Sequence, residues 1–259
     1  MKLVVGNWKM YPKTLSAGKK IAEAIKKNGT RAHLRGRRGQ IKVVLCPPAC
    51  FVAPLLGQLK RSPIAVGAQN AFITDEGAFT GEISPAALKD LGVAYVILGH
   101  SERRALGEDD TVVAQKIIAA VKANLKVILC VGEHVRDDAG TYFTEVGKEL
   151  RASLAGLPKS ETKHLIIAYE PIWAIGAKAL RAALPKDFRE MSIFIRRNLV
   201  DRFGKKAGFA IPILYGGSVD DRNAEGFLSL GGADGFLVGR ASLDAEKFSR
   251  IIMAAQNSR

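Results

Sequence analysis

Eight short runs of β-branched and other apolar residues recur along the chain, at 2–6, 41–46, 64–68, 95–98, 126–131, 165–168, 211–215 and 235–238. Most of them are apolar at nearly every position. A strand with one wet face alternates apolar with polar residues, so continuous runs describe strands covered on both faces, as in a parallel sheet flanked by helices. Amphipathic patterns of helical period lie between them, at 16–27, 85–91, 110–123, 141–155, 186–203 and 221–228. Eight such units with no linker predict an α/β fold, a closed single-domain (β/α)8 barrel spanning 1–259. An open doubly wound sheet would want a glycine fingerprint after the first strand, where this chain reads Gly6-Asn7-Trp8-Lys9.

The apolar runs are far shorter than the roughly 20 residues of a membrane span. The opening MKLVVG is too short for a signal-peptide core. A cytoplasmic enzyme with no membrane partner is therefore expected. Cys46, Cys50 and Cys130 form no CxxC pair and are odd in number, which predicts buried free thiols rather than a disulfide framework. The Asn28-Gly29-Thr30 sequon has no secretory context and reads as a turn. A net charge of +14 suits anionic partners such as phosphorylated metabolites. Its densest stretch, 26–42, holds Arg31, Arg35, Arg37 and Arg38 but no aromatic residue, so a solvated loop is expected and a nucleic-acid partner is not. The connection at 69–84, with Phe72, Ile73 and Phe79 among polar residues and glycines, is too long and apolar to be idle and predicts docking against another subunit.

In a barrel of this kind, polar residues just after each strand converge on one mouth. Here they are Asn7 and Lys9, Gln69 and Asn70, His100 with Ser101 and Glu102, Glu133, Glu170, Gly217 with Ser218, and Gly239 with Arg240. Glu170 follows a buried run, and Pro171 ends sheet pairing and biases Glu170 toward extended backbone. Beside Ile172, Trp173 and Ile175, such a carboxylate is desolvated and becomes a better base. His100 precedes a helix start at Ser101-Glu102-Arg103-Arg104, whose partial positive charge favours the neutral ring, able to donate a hydrogen bond to a carbonyl oxygen. Lys9 supplies an ammonium for developing anionic charge, and the glycine-rich turns at 217–218 and 239–240 supply backbone N–H groups for phosphate. His33, His134 and His164 are scattered, so no metal site is expected.

Five segments together carry a resemblance: GNWKM at 6–10, GHSERR at 99–104, CVGE at 130–133, AYEPIWAIG at 168–176 and YGGSV at 215–219. In this order they resemble the triosephosphate isomerase family, from residue 6 to about 243. The resemblance implies a TIM barrel that interconverts dihydroxyacetone phosphate and D-glyceraldehyde 3-phosphate through an enediolate, without a cofactor. It makes Glu170 similar to the base, His100 to the neutral electrophile, Lys9 to the electrostatic partner, Asn7 to a donor to the substrate oxygens and Glu102 to the carboxylate that fixes Lys9. The backbone N–H groups of Gly176, Ser218, Gly239 and Arg240 match the phosphate cradle, and Cys130 a buried thiol near the base. These roles coincide with the well-known behaviour of that family and are not independent of it. A homodimer is implied, with Phe79 and Thr80 on the loop that reaches into the partner.

Three features depart from the family. After Gly176 a small Thr-Gly hinge is usual, whereas Ala177-Lys178-Ala179-Leu180-Arg181-Ala182-Ala183-Leu184 stands here. This longer run of helix formers predicts either a partly pre-ordered lid or a backward extension of the next helix, and with it an altered turnover rate. Arg240 stands where a second glycine is common, and its N–H reaches phosphate only from a backbone outside positive φ. Tyr11 replaces a frequent Asn and bears on the partner contact. Two other readings stay open: a catalytically impaired phosphate-binding paralogue with an altered lid, and a metal-dependent phosphosugar epimerase, which the missing strand-end ligands disfavour.

Overall fold

The eight apolar runs pair in sequence order into a closed parallel barrel: β1 (Lys2–Asn7), β2 (Ile41–Cys46), β3 (Ala65–Ala68), β4 (Tyr95–Leu98), β5 (Lys126–Val131), β6 (Leu165–Tyr169), β7 (Ile213–Tyr215) and β8 (Gly235–Val238). β8 returns to β1 in register from Leu3↔Gly235 to Gly6↔Val238, so no edge is left. The structure, a computed structural model, describes residues 1–30, 41–176, 179 and 181–258. The helices around the barrel are α1 (Leu15–Thr30), α2 (Val52–Leu59), α3 (Pro85–Leu91), α4 (Ser101–Arg104), α5 (Asp110–Lys122), α6 (Thr141–Ser153), α7 (Pro185–Phe203), α8 (Lys205–Ala210), α9 (Ala224–Ser229) and α10 (Ala245–Asn257).

Strand alternation divides the apolar residues into two layers. On β5, Ile128 and Cys130 point into the barrel and join Leu3, Val5, Ile97, Ile166 and Leu214. Val127, Leu129 and Val131 point outward, where helical side chains such as Val113, Leu150 and Phe188 cover them. That double cover is why the runs lack the polar beat of a half-wet strand. Helix starts follow local chemistry: Asp109 accepts the Val112 N–H at the start of α5, and Asp244 accepts those of Glu246 and Lys247 at the start of α10.

Several expected boundaries move. The seventh strand begins at Ile213 rather than 211, because Pro212 has no N–H and serves the ladder only as an acceptor, from Ile167. The helix expected at 221–228 starts at Ala224, since the Asp220 carboxylate takes the N–H groups of Arg222 and Asn223 and holds that stretch as a turn. Cys50 is exposed, in a short helical turn at the surface, whereas Cys46 and Cys130 are buried free thiols. The helix after Gly176 does not extend backwards. Pro185 opens α7, Leu184 before it is extended, and Asp187 accepts the Leu184 N–H. Ala177, Lys178 and Leu180 of the expected lid, and residues 31–40 of the basic stretch, lie outside the described residues. No helix among the described residues is long and apolar enough to cross a membrane.

Candidate active site

At the end of β1, Asn7 is buried and its side-chain oxygen accepts the N–H of Lys9 at 3.0 Å. Gln69, from the end of β3, donates to the Lys9 carbonyl and to the Cys46 carbonyl, each at 2.8 Å. Pulled from both sides, Lys9 adopts φ +52°, a left-handed conformation uncommon outside glycine that costs on the order of 1–3 kcal/mol. Trp8 is fully buried behind it. The turn, rather than strand alternation, sends the Lys9 ammonium to Glu102, 2.6 Å away. With Glu102 more than half exposed, this pair adds little stability, and its effect is to fix where the ammonium stands.

His100 caps α4. Its Nδ1 accepts the Glu102 N–H at 3.2 Å, and a nitrogen that accepts carries no proton, so the neutral ring holds its proton on Nε2. That nitrogen is 3.1 Å from Glu170 Oε1, while Glu170 Oε2 accepts the Ser101 N–H at 3.0 Å. Glu170 is 3% exposed and its own N–H is held by the Val131 carbonyl. Base candidate and electrophile candidate therefore touch, with the carboxylate resting on the amino end of a helical turn. Behind them the Cys130 thiol is pushed well up, first by burial and then by the charge of Glu170.

Asn7, Lys9, His100 and Glu102 line one cleft of about 510 Å³, together with Gln69 and Asn70. Val52, Ile83, Leu88 and Leu91 add apolar surface to its lining. Gly239 adjoins Lys9, since a Cβ on it would stand 3.6 Å from Lys9 Cε. Arg240 opens the next helical turn and is not among the positive-φ residues, so the condition set on its backbone is met. Ser218 is exposed and its hydroxyl donates to the Ala174 carbonyl at 3.3 Å. Gly176 is exposed at φ +82° with no atom near the place of a Cβ, and the structure gives it no contact with the other candidates. Glu133, expected at the mouth, turns elsewhere: it is fully buried, and its Oε1 accepts the Tyr169 hydroxyl at 2.6 Å and the Trp173 indole N–H at 2.7 Å. Burial raises its carboxyl above the usual range, although those two donors pull it down. Phe79 and Thr80 stand exposed on the loop after β3, where Phe79 packs on Phe72 with ring centroids 4.7 Å apart. No group of three His, Cys, Asp or Glu side chains suited to a metal ion occurs among the described residues.

A family model described as triosephosphate isomerase matches residues 2–255. The chain belongs to the triosephosphate isomerase family. Relatives named triosephosphate isomerase bear this out. Those of Roseiflexus castenholzii and Carboxydothermus hydrogenoformans are 44% identical over 252 residues and 43% over 251, covering 96% of this chain and 96% of each relative. That of Moorella thermoacetica is 40% identical over 252 residues, covering 96% of this chain and 97% of its own. Nothing in these triosephosphate isomerase relatives or in the mouth favours a catalytically impaired paralogue.

Two contributors to this triosephosphate isomerase-family mouth went unread in the sequence. A Cβ on Gly216 would stand 3.0 Å from Glu170 Cγ and 3.2 Å from the Tyr169 carbonyl oxygen, so any side chain there would crowd the Glu170 side chain. Its signal in the sequence is the first glycine of the YGGSV segment. The other contributor is a largely buried pair, Arg104 and Glu149, bonded to the backbone at Gly99 and Gly132 behind the turns that carry His100 and Glu170.

Proposed function

We propose that the chain interconverts dihydroxyacetone phosphate and D-glyceraldehyde 3-phosphate by proton transfer through an enediolate, with no cofactor. The observation that carries this reading is the Nε2 proton of neutral His100 directed at the Glu170 carboxylate, 3.1 Å away, beside the cleft that holds Lys9 and Asn7. A substrate carbonyl oxygen entering the cleft accepts the His100 Nε2 hydrogen bond in place of Glu170 Oε1, which is released. Glu170 then removes a proton from the hydroxyl-bearing carbon of the triose and returns it to the former carbonyl carbon, while the hydroxyl proton crosses to the former carbonyl oxygen. His100 and Lys9 stabilise the oxyanion formed in between. Asn7 donates to the substrate oxygens, and Glu102 keeps Lys9 in place. The N–H groups of Gly176, Ser218, Gly239 and Arg240 form the phosphate cradle.

The working unit in this reading is a homodimer of one-domain chains spanning 1–259. Its support is the exposed run at 76–82, with Phe79 and Thr80 at its centre, together with the exposed Met10 and Tyr11 after the first strand. Covering an aromatic such as Phe79 adds roughly 1.5–3 kcal/mol to association before ordering costs. A cytoplasmic place in glycolysis and gluconeogenesis follows from the reaction. The test is steady-state isomerisation of glyceraldehyde 3-phosphate in metal-free buffer, with Glu170→Gln as matched control. Turnover is expected to fall by about 10²- to 10⁴-fold in the variant with the fold intact. Wild-type turnover no greater than the control would sink the reading.

A further inference from the structure

Glu149 reaches inward from α6 with its side chain 12% exposed, and each of its oxygens meets a different part of the mouth. Oε2 accepts the N–H of Gly132 at 2.9 Å. Oε1 stands 2.6 Å from Nε of Arg104, whose side chain is 15% exposed. Gly132 is pressed against the backbone of Glu170: a Cβ there would fall 1.7 Å from the Glu170 carbonyl oxygen, so the two chain segments are in direct contact. Arg104 in turn donates from Nε to the carbonyl of Gly99, the residue before His100, at 2.8 Å. Its other nitrogens are held by Asp110 at 2.7 Å and Ser153 at 3.1 Å.

We propose that Glu149 is a positioning residue for the isomerisation, holding the turn beneath Glu170 through Gly132 and the turn beneath His100 through Arg104. The inference rests on the isomerase reading above. Neither Glu149 nor Arg104 touches the cleft, so they act on the reaction only through where they set the two turns. A buried ion pair is poor evidence of a stabilising role, because apolar side chains of similar size often do as well. What an apolar side chain cannot supply is an acceptor aimed at the Gly132 N–H. Burial pushes the Glu149 carboxyl up to about 8, against Arg104 and the Gly132 N–H and with Asp110 and Glu170. Its uncharged form is thus close at hand at neutral pH, and that form is the one a glutamine imitates.

The experiment compares wild type, Glu149→Met and Glu149→Gln by kcat and KM for glyceraldehyde 3-phosphate, with thermal melting alongside. Methionine keeps the volume and deletes the acceptor; glutamine keeps both volume and acceptor. Glu149→Met is expected to lose roughly tenfold to a hundredfold in kcat, as displaced catalytic geometry does, with KM nearly unchanged. Glu149→Gln is expected to recover most of that loss. Full kcat in the methionine variant, a glutamine variant as impaired as methionine, or KM rising in step with the loss of kcat would each overturn the proposal. Should Glu149→Met fail to fold, Arg104→Lys takes its place, with a similar loss of kcat at constant KM expected and unchanged kcat counting against. A wild type no faster than Glu170→Gln would defeat the isomerase reading itself, whereas an active wild type beside an unimpaired methionine variant defeats only the positioning role.

Discussion

Ile128, in the middle of β5, and Glu170, just beyond β6, are 0% and 3% exposed and stand on neighbouring strands of one barrel. Ile128 is held by shape alone, among side chains that offer it no direction. Glu170 is held by direction: two hydrogen-bonding partners on its carboxylate, one on its backbone, and an absent side chain at Gly216. The barrel wall therefore sets stability and tolerates exchange among apolar residues of similar size, whereas the mouth sets chemistry and tolerates almost none.

The contrast makes opposite demands on variants. His100→Gln is expected to lower kcat by about 10²- to 10³-fold, the usual loss for one preorganised donor, with little change in KM or melting temperature. A rise in KM alone would mean that the ring binds the substrate rather than acting on its carbonyl. Ile128→Ala should do the reverse and cost about 2–5 kcal/mol of unfolding free energy in urea, with kcat per folded molecule kept. A collapse of kcat in that variant would erase the distinction between wall and mouth.

Glu149 stands between the two regions, and its titration sharpens the boundary. Its folded value is raised from the ordinary 4.5 to about 8, so its share of stability is complete below the lower value and is lost as pH rises through the upper one. Unfolding free energy of wild type should fall relative to Glu149→Gln between pH 6 and pH 9, by the order of 1–3 kcal/mol. Equal pH dependence in the two proteins would mean that the carboxyl titrates in its ordinary range. The smallest effect expected concerns neither region but the field around them. With a net charge of +14, kcat/KM for the anionic substrate should decline by no more than about tenfold as ionic strength rises, and a flat response would leave the charge without a kinetic part.

The wall was legible because its signal is local: each run of apolar residues is a strand, and strand alternation assigns every side chain to one of two layers. Of the mouth, the identities of Glu170, His100 and Lys9 were legible from their places after strands. Their geometry was not. The left-handed turn at Lys9 depends on Gln69 reaching from β3, and the clearance at Gly216 on how closely β6 and β7 approach. Glu133 shows the limit most plainly, because the strand-end position it shares with Glu170 says nothing of the Tyr169 and Trp173 donors that draw it inward. Glu149 sits in a helix, away from any strand end, and only its partners single it out.

Closure of β8 onto β1 joins the last strand of the barrel to the first, and that has a consequence for how the protein is made. Synthesis from the amino terminus makes β1 before every other strand of the barrel and its last partner, β8, after all of them. Until β8 is made, β1 carries an open edge, of the sort that recruits other unfinished chains. Lys9 waits equally long for Gly239, its neighbour across that final seam. No truncated product released along the way has a closed mouth, so an arrested message yields no partly working enzyme.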